Sequence, residues 1–145
     1  MLTLGDRPFT TGRCSFLDAD GIRDDPKIYI PVIPGDWQTP TLAQLDTGAA
    51  WSVLDTEIAE DLGLFNELGE HTNLSTRLGS MEGILVRTPF TLVAEEGTSL
   101  RIDATVFISR DWQEGTFLGY GGMLERIRFA VDPRENDFFF GSGAE

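Results

Sequence analysis

LAQLDTGAAWSVLD, residues 42–55, changes character twice within a few turns of chain. Its first part is an apolar, strand-like run that ends in the charged residue Asp46, with no Lys or Arg close by in sequence. Its last part, SVLDTEIAEDLGL, switches to helical spacing: Asp55 is placed to cap a helix, Leu54, Ile58 and Leu62 fall on one face, and Gly63 stops it. Glu57, Glu60 and Asp61 then take the wet side. Asp46-Thr47-Gly48 joins the two halves. By itself the tripeptide suits any tight strand-ending turn, because glycine permits positive φ and aspartate bonds local amides. Its surroundings have to decide what it is.

Outward from this loop the chain reads as strands. KIYIPVIPG puts Ile28, Ile30 and Val32 on one face and ends in a Pro-Gly turn, and TPTLAQL runs straight into Asp46. NLSTRLGSMEGILVRTPFTLVAEEGTSLRIDATVFIS reads as consecutive antiparallel strands, with turns expected near residues 79–83 and 95–98. TFLGYGGMLERIRFAVDP gives a short strand, a glycine turn, a brief helix around residues 123–127 and another strand; PREN then turns the chain into DFFFG. The expected fold is all-β: one domain over residues 1–145, built as a closed or nearly closed antiparallel β-barrel with one or two short helices. Residues 1–26 read as a polar, Asp-rich segment outside this pattern, and DADGIRDD (18–25) as a solvated turn, since it lacks the ligand spacing and distal Glu of a calcium loop.

Composition removes several classes of function. At 145 residues and 41% apolar content the chain suffices for one core of ordinary size. A formal charge of −13 argues against nucleic acid, which needs a basic face to neutralise phosphates. No run approaches the ~18 apolar residues of a membrane helix, and the N-terminus lacks a basic start followed by an apolar run, so as it stands the sequence reads as cytoplasmic, or as a piece released from a larger protein. Cys14 is the only cysteine, so no internal disulfide or cysteine-based zinc site forms; it reads as a small buried apolar residue. His71, the only histidine, reads as a loop residue. GSMEG at 79–83 places its serine second, which does not match the G-x-S-x-G nucleophile elbow. No metal or cofactor is expected.

Three blocks in a fixed order make the chain similar to the retropepsin-like (retroviral-type) aspartic proteases, in particular their small single-domain bacterial members. LAQLDTGAAWSVLD resembles the catalytic loop, TRLGSMEGILVR the hairpin flap, and TFLGYGGMLERIRFAVD the apolar-apolar-Gly segment with its short helix and closing strand. Together they span roughly residues 27–141.

The resemblance implies hydrolysis of peptide bonds by two aspartates. Carboxylates about 3 Å apart cannot both ionise, so they share one proton. The ionised one takes a proton from a water between them, and the protonated one hydrogen-bonds the scissile carbonyl. Asp46 is the catalytic candidate. Thr47, Gly48, Ala49 and Ser52 are candidates for support of the loop, although Ser52 equally suits a helix start. Gly79, Ser80, Met81, Glu82 and Gly83 are the candidate flap, with Met81 as an apolar contact and the glycines as a mobile tip. Ile84 or Val86 is expected to face the cleft, and Phe117 and Leu118 to line the core beneath. Viral members place Asp after D-T-G-A and follow the glycine matching Gly119 with Arg and a polar residue. Here those positions hold Ala50, Tyr120 and Gly121. Both sides of that charge pairing are missing together, which implies a different support. Trp51 is bulky for its place beside the cleft and suits a core plug first, with a subsite wall or a cover over the dimer contact as the alternatives.

The chain carries no second D-T-G: IDAT (102–105) and VDP (131–133) lack the glycine, and in LDADG it lies too far downstream. The expected partner is therefore a second copy, arranged about a two-fold axis, and the expected substrate is a peptide or protein. The competing expectation is a catalytically inactive protease-like domain used for dimerisation or peptide binding.

Overall fold

A computed structural model of the chain describes residues 1–18, 27–76 and 79–143. In chain order its strands are β1 (Thr3–Leu4), β2 (Arg7–Pro8), β3 (Gly12–Ser15), β4 (Leu17–Asp18), β5 (Ile28–Pro34), β6 (Thr41–Leu45) and β7 (Ser52–Val53). The single α-helix α1 (Thr56–Asp61) follows, then β8 (Glu70–Thr76), β9 (Gly79–Leu92), β10 (Glu96–Gly97), β11 (Leu100–Ile108), β12 (Thr116–Leu118), β13 (Ile127–Asp132) and β14 (Asp137–Ser142). Two single turns of 3₁₀ helix, Leu64–Asn66 and Leu124–Arg126, complete the elements of the described residues.

Six strands close into a ring. β5 pairs with β6, β6 with β12, β12 with β7, β7 with β11, β11 with β9, and β9 returns to β5. β4 extends the ring at β5 and β8 extends it at β9. The all-β expectation holds, with one refinement: β6–β12 and β7–β11 run parallel. Parallel neighbours need long crossovers, and here long stretches of chain separate β6 from β12 and β7 from β11. A second sheet, in the order β10-β3-β14-β13, packs the two ends of the described chain together.

One apolar core serves both sheets. Ile30, Val32, Phe90, Leu92, Leu118, Phe138 and Phe140 are fully or almost fully buried within it, each such side chain contributing about 1.5–3 kcal/mol by leaving water. β11 alternates buried and exposed residues from Ile102 and then buries Val106, Phe107 and Ile108 in succession. The alternation breaks where β7 pairs along one edge of the strand and β9 along the other. Asp55 caps α1 as its position predicts, accepting hydrogen bonds from the amides of Glu57 and Ile58, and Gly63 ends it at φ 72°.

The N-terminal segment departs from expectation. β3 runs through residues 12–15 and pairs with β14, burying Cys14 and Phe16. The spacing of Gly12, Cys14 and Phe16 is a two-residue alternation hidden among polar neighbours. Cys14 is the buried apolar residue expected, and its burial pushes the thiol up to about 12. The 18–25 stretch lies, apart from the backbone of Asp18, outside the described residues. His71 stands in strand β8, opposite Ile84, and not in a loop. Among the described residues no helix is long and apolar enough to cross a membrane.

Candidate active site

Asp46 is the first residue beyond β6. Its amide donates to the carbonyl of Leu118 (2.9 Å), which holds the end of β6 beside β12. The Gly48 amide donates to Asp46 Oδ1 at 3.1 Å and the Ala49 amide to the Asp46 carbonyl at 3.2 Å. The carboxylate is thus oriented by its own turn. It is half-buried, and Asp46 makes no ion pair among the described residues. Thr47 and Gly48 are exposed at the crest, and the Thr47 hydroxyl has no hydrogen-bond partner among the described residues. A Cβ at Gly48 would meet only Asp46 Oδ1, at 3.5 Å, so nothing within one chain excludes a side chain there.

The far side of the loop is fastened to residues 119–121. The amide of Tyr120 donates to the Ala49 carbonyl (2.9 Å) and that of Gly121 to the Ala50 carbonyl (2.8 Å), and Trp51 forms a parallel bridge with Gly121. Ser52 is buried, and its Oγ accepts the amide of Gly119 at 2.8 Å. The approach is close enough to demand glycine: a Cβ at 119 would lie 2.4 Å from the Trp51 carbonyl, and one at 121 the same distance from that of Ala50. Residues 119–121 then turn into the Leu124–Arg126 helix, where the Leu124 and Glu125 amides donate to the carbonyls of Gly119 and Tyr120. This backbone lattice occupies the place where a charge pairing was absent from the sequence.

Trp51 does not plug the core. It is half-buried and lies outside the core cluster, with its ring edge across Gly121; a Cβ there would stand 3.3 Å from Cε3. The bulky ring and the missing side chain at 121 fit one another. Leu118 is a core residue, whereas Phe117 is half-buried and meets Trp112 edge-on at 5.5 Å between ring centres.

The hairpin expected as a flap is present as β8 and β9, but its parts fall differently. Thr76 pairs with Gly79, so residues 79–83 run along the second strand and the chain reverses before them. Gly83 is not at a mobile tip. A Cβ on it would lie 2.4 Å from the Ile108 carbonyl and 2.5 Å from the Phe107 ring, and Ser109 Oγ donates to the adjacent Glu82 carbonyl at 2.7 Å. Those contacts anchor the base of the hairpin to β11, whose Phe107 also pairs with Val53 just after the Asp46 loop. The hairpin therefore springs from beside that loop. Leu74 and Met81 pair across it and are both half-buried. Leu74 was not singled out from sequence, although the alternation in HTNLST marks it. Gly79 (φ 119°) and Ser80 are exposed. Val86 belongs to the core, which leaves Ile84 as the half-buried member of that pair.

Two concavities of about 320 and 450 Å³ lie elsewhere on the surface, and neither is lined by the Asp46 loop. Within the 46–52 loop Asp46 is the one carboxylate. Among the described residues no group of three or more His, Cys, Asp or Glu side chains is placed to hold a metal ion.

No sequence-family model matches the chain, and no curated protein matches it. Solved structures do. A retropepsin-like aspartic protease from Rickettsia conorii superposes with a TM-score of 0.58 at 18% identity, covering 89% of this chain and 98% of that one. The retroviral protease-like domain of Ddi1 from Leishmania major gives 0.57 at 18% identity, covering 80% and 93%. At that identity the likeness establishes the fold, and the fold is retropepsin-like.

Proposed function

We propose that the chain is one half of an aspartic endopeptidase, completed by a second copy of itself. The observation that carries this is the presentation of Asp46: a half-buried strand-end carboxylate, aimed by the Gly48 amide, beside an anchored hairpin in a retropepsin-like fold. In the two-fold pair, one Asp46 is ionised and draws a proton from a water held between the two. The resulting hydroxyl adds to the scissile carbonyl, whose oxygen takes a hydrogen bond and then a proton from the other Asp46. Collapse of the tetrahedral diol breaks the C–N bond, and the amine leaves with a proton. Thr47, whose hydroxyl finds no partner among the described residues, binds the opposing loop. The β8–β9 hairpin closes over the peptide, with Leu74 and Met81 as apolar contacts, and excludes water. The substrate is an extended peptide bound by strand-like backbone hydrogen bonds, with apolar residues about the scissile bond.

The edge available to the second copy is β13, the outer strand of the second sheet, which pairs only with β14 among the described residues. Antiparallel pairing of two β13 strands about Ala130 places Arg128 opposite Asp132 twice, so the sequence is self-complementary there.

Digestion of a peptide library at several pH values, with wild type and Asp46→Asn side by side, tests the reading. Cleavage that is lost in Asp46→Asn is expected; identical cleavage by both sinks it. The absence of charged residues at Ala50 and Tyr120 favours one competitor, a peptide-binding domain without catalysis. It predicts peptide retention without turnover in both proteins.

A further inference from the structure

The chain carries eleven basic residues against 24 acidic ones, yet three of the eleven, Arg87, Arg101 and Arg126, line a single concavity of about 320 Å³. Only one acid, Asp103, shares the wall. That acid holds two of the arginines in place. Its carboxylate pairs with Arg87, while its backbone carbonyl accepts from Arg126, which also reaches Thr105 Oγ1 at 3.4 Å. Arg101 has no ion pair or hydrogen bond from its side chain among the described residues. Leu100, Ile102 and Ile127 supply an apolar floor. Two fixed guanidiniums, one uncommitted guanidinium and an apolar surface are the ingredients of a site for an amphipathic anion. Guanidinium forks match phosphate and carboxylate oxygens in pairs, and the volume falls at the lower end of the range for small-molecule sites.

We propose that this concavity binds an organic oxyanion of the phosphomonoester type, its phosphoryl group between Arg101 and Arg126 and its apolar body on the Leu100–Ile102–Ile127 floor. The lining residues sum to +2 in a molecule of −13, so the concavity is a local basic spot on a surface that otherwise repels anions. The site stands apart from the Asp46 loop, and its occupancy does not depend on the chain being a peptidase.

Phenyl phosphate is the probe, titrated calorimetrically into the full chain at constant ionic strength, with inorganic phosphate and phenol in parallel. Saturable one-to-one binding of phenyl phosphate is expected, inorganic phosphate binding about tenfold more weakly for want of the buried ring and phenol not at all. Arg101→Glu and Arg101→Gln, both at an exposed position, should keep the wild-type melting curve and weaken binding about tenfold or more, the loss expected for a charge-assisted hydrogen bond. Arg134→Glu, in the exposed β13–β14 turn, should bind as wild type does, and so should Asp46→Asn. No saturable binding, or unchanged binding in the Arg101 variants, overturns the proposal. Equal affinity for inorganic and phenyl phosphate removes the organic body from it.

Discussion

Ser52 shows what a single hydroxyl does for the loop. From sequence it suits both a support for the Asp46 turn and a residue at a helix start. In the structure its Oγ accepts the Gly119 amide inside the core, and the helix cap is Asp55. The partner lies 67 residues away, so no local pattern could name it. Gly119 could be read as part of an apolar-apolar-Gly block, but the steric reason for it, the Trp51 carbonyl, could not. Trp51 stands outside the core for the same cause: its room is made by an absent side chain at Gly121 on another segment, which leaves a subsite wall or a dimer cover as its remaining readings. Ser52→Ala leaves a buried N–H without an acceptor, which costs about 1–3 kcal/mol. Urea unfolding of Ser52→Ala should show a lower midpoint at unchanged slope, and peptide cleavage should fall with it because the Asp46 turn loses its backing. A midpoint equal to wild type would mean that water or a neighbour replaces the hydroxyl.

At the scale of elements, legibility followed locality. α1 and the strands from Ile28 onward were readable because their alternation, caps and turn residues are all adjacent in sequence. The flap hairpin was readable as a pair of strands but not in its detail. Its two glycines, Gly79 and Gly83, marked out a turn between them, whereas the pairing of Thr76 with Gly79 puts the reversal before both. Gly83 is a glycine of close approach, fixed by β11, a strand that has not yet appeared in the chain order. β3 escaped because its alternation is only a few residues long and lies among polar neighbours. The two glycines should accordingly behave differently. Gly83→Ala forces the Ile108 backbone or the Phe107 ring to move and should lower global stability by about 1–3 kcal/mol, the usual range for overpacking. Gly79→Ala meets no atom within 4 Å but sits at φ 119°, so its strain falls at the exposed hairpin end, far from the core. Thermal melts should separate the two: a clear drop for Gly83→Ala and little change for Gly79→Ala, with faster amide exchange near the tip. Equal drops would show that the tip is as firmly held as the base.

For the whole molecule, the ring and the terminal sheet explain how a chain of this size exposes a carboxylate without burying its partner. Loop 46–52 is braced from within by residues 119–121, and the proposed dimer sets Asp46 and Thr47 against their own copies as a pair. Assembly of that pair has an electrostatic cost. Two subunits of −13 repel, screened over about 10 Å at ordinary salt, and two apposed carboxylates add a short-range repulsion that is relieved when one of them binds a proton. A dimer that holds this shared proton binds more protons than two separate subunits. By linkage, association then strengthens as pH falls. Sedimentation should therefore show a larger dimer fraction at about pH 4 than at about pH 8. Asp46→Asn separates the two sources of repulsion. It removes the shared proton but only one of the many surface charges, so its dimerisation should persist with a shallower dependence on pH. Equal dimerisation of the wild type at both pH values would remove the apposed aspartates from the assembly, and an Asn variant as steep as wild type would assign the whole effect to net charge.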